Sequence, residues 1–351
     1  MDVNPKNTKA TLNNKLEQHP AMDSSLFSEV LHKVTNTSPR KLLTLPSGRW
    51  SWAMVVGAGA LTASLISQQA AALSPLDLVN AISPDGGVGV SKDIAYGEDA
   101  AQNLDVYYPK ALAKAVRKGS TIEQRYPLVV FVHGGSWENG NKDQYAFVGQ
   151  SFAQAGYVTA VINYRKAPEF VYPAFVQDSA QAIAWVHQNA DKLYANPEKM
   201  AVVGQSAGAF NAVAAVSNAN FLSPYGMTPS DIKAVVGIAG PYSYDFRTSD
   251  TRTVFPKDGD PDNIMPDRLI DAGAGKTQPD YLLLTAENDD IVGDQNTIRM
   301  AAALRAVKAN VQTGEIKKAS HATSIGAMAT PLRRLNDVRE QVLTYLDGEL
   351  K

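Results

Sequence analysis

Ser206 has the clearest chemical setting of any residue in this chain. It stands in Gly204-Gln205-Ser206-Ala207-Gly208, directly after the apolar run MAVV and before AFNAVAAV. A serine between two glycines, where a strand passes sharply into a helix, is a nucleophile elbow. Side chains at 204 and 208 would collide with the neighbouring strand and helix, and the turn lifts the hydroxyl clear, at a helix N-terminus whose dipole favours developing negative charge. A serine hydroxyl is a poor nucleophile until a base takes its proton. An imidazole does so near neutral pH, with a carboxylate to fix its tautomer and stabilise the imidazolium. The chain has five histidines, at 19, 32, 133, 187 and 321, and YLLLTAENDDIV offers Glu287, Asp289 and Asp290 as carboxylates. A second glycine motif, His133-Gly134-Gly135-Ser136-Trp137, follows PLVVFV. Glycines there let backbone N–H groups approach a substrate closely, so the motif is suited to holding an oxyanion.

These groups are far apart in sequence, and a scaffold must bring them together. Candidate strands lie at 90–95, 103–108, 127–133, 158–164, 199–204, 233–239, 280–285 and 310–317, and candidate helices near 144–155, 174–190, 207–218, 295–308 and 332–347. GEDAAQN between the first two strands suits a hairpin. The later strands, such as LVVFV and YLLLT, are short and continuously apolar, as parallel strands buried on both faces are. Their alternation with helices predicts a mostly parallel α/β sheet of about eight strands with helices on both faces. Residues 241–279 break the rhythm with many Asp, Pro and Gly, and are read as an irregular, lid-like insertion.

From about residue 94 onward the chain resembles the carboxylesterase and arylformamidase-like (BD-FAE-like) group of α/β-hydrolases, near the hormone-sensitive-lipase-like esterases. YGEDAAQNLDVYYP is similar to the entry hairpin of that group, HGGSW to its oxyanion motif, NYRKAPEFVYPAFVQDSAQAIAWV to its DYRLAP…FPA…D…A…W segment, and GQSAG to its elbow. The motifs occur in the family's order. This fold arranges its triad as Ser, acid, His along the chain. Only His321 follows Ser206, which makes it the base. Asp289 matches the acid of the family pattern G-x-x-D-x-x-V, with Ala286 for the glycine and Val292 in register. By the same analogy the amides of Gly135, Ser136 and Ala207 form the oxyanion hole, with His133 and Gly134 supporting the loop and Gly204 and Gly208 the elbow. The resemblance implies cleavage of small carboxylic esters through an acyl-enzyme, with no cofactor and no metal. The alternatives are amide or N-formyl hydrolysis by the same triad and, from another class, a non-catalytic binding member of the fold. The chain departs from the pattern in lacking the third glycine of the lipase-like oxyanion motif, in placing its acid in ENDDIV rather than DPLxD, and in carrying Gln205 where Asp or His is common and Asn163 where Asp is usual. Arg165 and Asp178 are read as a structural ion pair.

Composition narrows the remaining classes. The net charge is −2 and no Lys/Arg-rich run occurs, so there is no nucleic-acid footprint. The absence of cysteine excludes disulfides, thiolate metal sites and a Cys nucleophile. Asp258-Gly259-Asp260-Pro261-Asp262-Asn263 looks like a calcium loop, but an EF-hand wants Gly at its sixth position and Glu at its twelfth, here Asn263 and Leu269. It is read as an acidic turn. Residues 1–49 are polar and expected to be disordered. Residues 50–76 are uncharged, centred on WAMVVGAGALTASLI, and preceded by Lys33, Arg40, Lys41 and Arg49. They read as a signal sequence or signal anchor. That implies export, or membrane association with the catalytic domain (77–351) outside; the alternative is a cytoplasmic protein with a small-residue helix packed on the domain.

Overall fold

The computed structural model describes residues 74–271 and 277–351. Residues 1–49, and the signal or anchor segment as far as residue 73, lie outside the described residues. The first described element is helix α1 (Pro75–Ile82), capped by Ser74 in a reciprocal capping box with Asp77. It begins two residues before the boundary expected for the catalytic domain. Among the described residues no helix is long and apolar enough to cross a membrane.

The remaining elements are β1 (Gly89–Ala95), β2 (Asn103–Tyr108), α2 (Lys110–Arg117), β3 (Tyr126–Val132), α3 (Ala146–Gln154), β4 (Val158–Ile162), α4 (Ala174–Gln188), β5 (Ala195–Gln205), α5 (Ala207–Ser217), β6 (Ala234–Ile238), β7 (Asp280–Asn288), α6 (Gln295–Ala306), β8 (Val311–Ser320) and α7 (Val338–Leu350), with shorter helical turns between them. The eight strands form one sheet in the order β1-β2-β4-β3-β5-β6-β7-β8. The β1/β2 hairpin and the β2/β4 pair are antiparallel and the rest are parallel. β3 to β4 steps one way along the sheet, and β4 to β5, β5 to β6 and β7 to β8 step the other way. Right-handed crossovers therefore put α3 on one face and α4, α5 and α6 on the opposite one. The chain folds as an α/β-hydrolase.

The apolar runs behave as their composition demands. β4 and β6 are buried along their whole length, as are residues 128–132 of β3. β8, at the sheet edge, is largely exposed, which explains its mixed sequence VQTGEIKKAS. One expectation needs correction, and one helix is added to those expected. The helix expected over 332–347 starts only at Val338, because Asn336 turns its side chain to accept from the Val338 amide and donate to the Thr323 carbonyl, and Pro331 sits in a separate 3-10 turn before it. Helix α2 was not foreseen, since eight residues give too short a periodic signal. The described part of the insertion, residues 241–271, is a chain of 3-10 turns that buries Phe246, Val254, Phe255, Ile264 and Met265. Phe255 packs edge-on against Trp137, Phe175 and Phe210. Asp260, from the acidic run, caps one of these turns by accepting from the Asp262 amide.

Candidate active site

Strand register brings the chemistry to one edge of the sheet. Val132 pairs with Gly204, Gln205 with Ile238, and Asn288 with Ser320. The residues that follow these strand ends, 133–137, Ser206, Asp289 and His321, therefore emerge side by side at the carboxyl edge, where open α/β sheets bind ligands.

Ser206 leaves β5 with φ 55° and ψ −125°, a strained conformation for a side-chain-bearing residue, and its amide donates to the Ile238 carbonyl at 2.8 Å. The flanking glycines are required by contact. A Cβ on Gly204 would stand 2.2 Å from the Gly208 carbonyl oxygen, and one on Gly208 would stand 2.1 Å from that of Val132. Helix α5, which the elbow opens, is buried along its whole length, so the strained turn is held by tightly packed surroundings that cannot relax around it.

The structure brings the three expected side chains together. His321 Nε2 lies 2.8 Å from Ser206 Oγ, and His321 Nδ1 lies 2.9 Å from Asp289 Oδ2. The other carboxylate oxygen, Oδ1, accepts from the amides of Ile291 at 3.0 Å and Val292 at 2.8 Å. This explains the D-x-x-V spacing: the turn that ends in Val292 is folded onto the acid. The Asp289 side chain is only 3% exposed. Glu287 instead accepts from the Lys318 amide, and Asp290 is exposed. Of the other histidines, His187 lies in the last turn of α4, and His19 and His32 fall outside the described residues.

The 133–137 loop bends against the elbow. Gly135, Ser136 and Trp137 all have positive φ, at 127°, 52° and 59°. Ser136 thus adopts, with a side chain, the left-handed conformation that the missing third glycine would take freely, at a cost of roughly 1–2 kcal/mol. Trp137 anchors the loop: it is buried, and its indole N–H donates to Asn211 Oδ1 on α5 at 2.9 Å. Among the described residues no backbone hydrogen bond occupies the amides of Gly135, Ser136 or Ala207. His133 is fully buried between the rings of Tyr145 and Tyr164, and its Nδ1 donates to the Gly134 carbonyl at 2.7 Å. Burial pushes this imidazole down to about 3, which keeps it neutral. It braces the loop and lies outside the proton relay. Arg165 and Asp178 form the expected pair through two guanidinium contacts of 2.7 and 2.9 Å. Two open surface depressions of about 540 and 510 Å³ adjoin Arg165, and neither is lined by a triad residue.

One pair of supporting residues escaped the sequence reading. Gln205 Nε2 donates to Ser324 Oγ at 3.3 Å, and Ser324 Oγ donates to the His321 carbonyl at 2.8 Å, tying the elbow to the histidine loop. In the sequence Gln205 stands out only as a departure from the family's usual residue, and nothing marks Ser324.

The BD-FAE family model matches residues 104–304, more than half of the chain. The chain belongs to the BD-FAE family. Among curated relatives, Esterase LipC of Mycobacterium tuberculosis is 33% identical over 168 residues, covering 46% of this chain and 39% of LipC. Esterase LipQ of the same organism is 29% identical over 255 residues, covering 68% of this chain and 58% of LipQ. The BD-FAE chain thus matches about two-fifths to three-fifths of the length of these relatives. Among solved structures, a truncated carbohydrate esterase from gut microbiota aligns over 76% of this chain and 99% of its own, with a TM-score of 0.60 and 21% identity. Esterase B from Lactobacillus rhamnosis, inhibited by a tributyrin phosphonate, aligns over 86% and 96%, with a TM-score of 0.62 and 17% identity. Both likenesses concern the fold.

Proposed function

We infer that this BD-FAE protein is a serine hydrolase that cleaves carboxylic esters of small substrates, with Ser206 as nucleophile, His321 as base and Asp289 as the orienting acid. The observation that carries the reading is the unbroken line of hydrogen-bond contacts, at 2.9 and 2.8 Å, from the carboxylate through the imidazole to the hydroxyl. Oγ attacks the ester carbonyl as Nε2 takes its proton, and Asp289 stabilises the imidazolium through Nδ1–H. The amides of Gly135, Ser136 and Ala207 donate to the oxyanion. Each such donor is worth roughly 2.7–4 kcal/mol in comparable sites. The imidazolium then protonates the departing alcohol. Water, activated by the same His321, attacks the acyl-enzyme and releases the acid.

LipC and LipQ carry the name esterase, which favours ester cleavage over N-formyl hydrolysis, and a complete relay gives no support to a purely binding role. Paired assays on p-nitrophenyl acetate and N-formylkynurenine test this. The ester should turn over the faster, and Ser206→Ala should lower its turnover by roughly 10⁶-fold, as in other serine hydrolases, with an unchanged melting temperature. Faster N-formyl turnover would move the assignment to the amide branch. Residues 50–76 support a second proposal, that the protein is exported or membrane-anchored with the catalytic domain outside. Mass spectrometry of the N-terminus in fractionated cells tests it. Cleavage near Ala70–Ala72, or an intact chain in the membrane fraction, is expected, whereas an intact chain in the cytosol supports the cytoplasmic alternative.

A further inference from the structure

Lys166 is half-buried, and burial holds its ammonium below the usual lysine range. Such a group ordinarily needs an anionic partner, yet among the described residues it forms no ion pair. Its ammonium instead donates to the carbonyl of Gly140. Gly140 lies where the 133–140 loop closes. It has φ +81°, and a Cβ there would stand 2.3 Å from the Gly134 carbonyl oxygen and 2.9 Å from His133 Nδ1. The two ends of the loop are therefore pressed together, and the Lys166 ammonium sits on the carbonyl that completes the closure.

The neighbours of Lys166 hold the same loop elsewhere. The Tyr164 hydroxyl donates to the His133 carbonyl at 3.0 Å, and the Ala167 amide donates to the Trp137 carbonyl at 3.0 Å. Residues 164–167 thus grip the loop at its entry, middle and exit. Within the loop, the Gly135 carbonyl accepts from the amides of Glu138 and Asn139. That peptide unit is therefore locked once the ends are fixed. Three consecutive residues with positive φ are costly to hold, and the contacts from residues 164–167 add to the loop's own bonds and the Trp137 anchor in holding them.

We propose that Lys166 is a positioning residue for the oxyanion hole: by holding the Gly140 carbonyl it closes the 133–140 loop on residues 164–167 and sets the aim of the Gly135 and Ser136 amides. The proposal rests on the serine hydrolase reading above.

The test uses Lys166→Met, which keeps most of the stem and removes the donor, and Lys166→Arg, which keeps a donor. All rates are taken per active site titrated with a fluorophosphonate. In Lys166→Met, kcat on p-nitrophenyl acetate should fall roughly 10- to 100-fold with KM changed less than about threefold, the size expected when reacting groups are displaced by about an ångström. The inhibition constant of a trifluoromethyl ketone, whose adduct carries an oxyanion, should rise in parallel. Lys166→Arg should restore most of both. A merely structural lysine would lower the melting temperature and leave titrated kcat and ketone binding where they were, and that result overturns the proposal. If Lys166→Met does not fold, Lys166→Gln, whose amide nitrogen ends one bond short of the ammonium, takes its place. It should lose about tenfold in kcat relative to Lys166→Arg, and equal kcat in the two overturns the proposal. Wild-type protein that neither turns over the ester nor takes the fluorophosphonate would instead remove the hydrolase reading itself.

Discussion

The serine end and the acid–histidine end of the triad are built by different physics. At the elbow, position is dictated by exclusion. Backbone oxygens stand where side chains at 204 and 208 would have to go, and the helix that follows is buried throughout. At the other end, Asp289 and His321 leave paired strand ends next to solvent, with Glu287, Asn288 and Asp290 exposed and Ile291 at 71% exposure. Their positions are set by hydrogen bonds: two amides on the carboxylate, Ser320 against Thr323, Ser324 on the His321 carbonyl, and Asn336 on the Thr323 carbonyl. One end tolerates no added atom, and the other depends on particular polar partners.

Among substitutions that keep the nucleophile, the largest expected effect lies at the hydrogen-bonded end. Asp289→Asn should lower kcat by about 10⁴-fold, because the amide stabilises the wrong imidazole tautomer. Asp290→Asn, at an exposed neighbour, should leave kcat within about twofold, since it touches no part of the relay. Steady-state kinetics on one ester separates the two, and the reverse pattern would move the acid by one residue. The packed end should respond in stability. Gly208→Ala should destabilise the fold by about 3 kcal/mol or more, by the cost of overpacking against backbone. Gly293→Ala, where an added Cβ meets nothing within 4 Å, is the control, and urea midpoints for both variants measure the contrast. If Gly208→Ala proves as mild as Gly293→Ala, exclusion is not what shapes the elbow. A smaller effect tests the buried neutral His133. In the unfolded chain its imidazole takes up a proton below about pH 6.5, but in the folded protein only near 3. Unfolding therefore gains a proton as pH falls between these values, and stability is lost over that window. His133→Gln should reduce the slope of stability against pH there by about 1.4 kcal/mol per pH unit, as read from urea midpoints at several pH values. An unchanged slope would mean that another group carries the titration.

The same contrast decides what could be read from sequence. Steric requirements leave a residue type behind: Gly204, Gly208 and Gly134 are visible because a side chain there would meet neighbouring atoms, and the central strands because burial on both faces strongly favours apolar side chains. His321 followed from chain order, and Asp289 from a spacing that the Asp289–Val292 turn accounts for. Hydrogen-bonded supports leave weaker traces, because serine, glutamine and lysine are common everywhere. Ser324, Gln205 and Lys166 could be recognised only once the fold placed them beside the histidine loop and the oxyanion loop. The late start of α7 is a similar case, since a side-chain contact from Asn336 to Thr323, not the local pattern, sets it.

The central claim is that Ser206 is activated by the imidazole at 321. Labelling the purified protein with a fluorophosphonate, followed by peptide mass spectrometry, tests it most directly. The expected result is a single adduct on the peptide containing Ser206 that is absent from both Ser206→Ala and His321→Ala. No adduct on the wild-type protein, or an adduct on another serine that persists in Ser206→Ala, would contradict it.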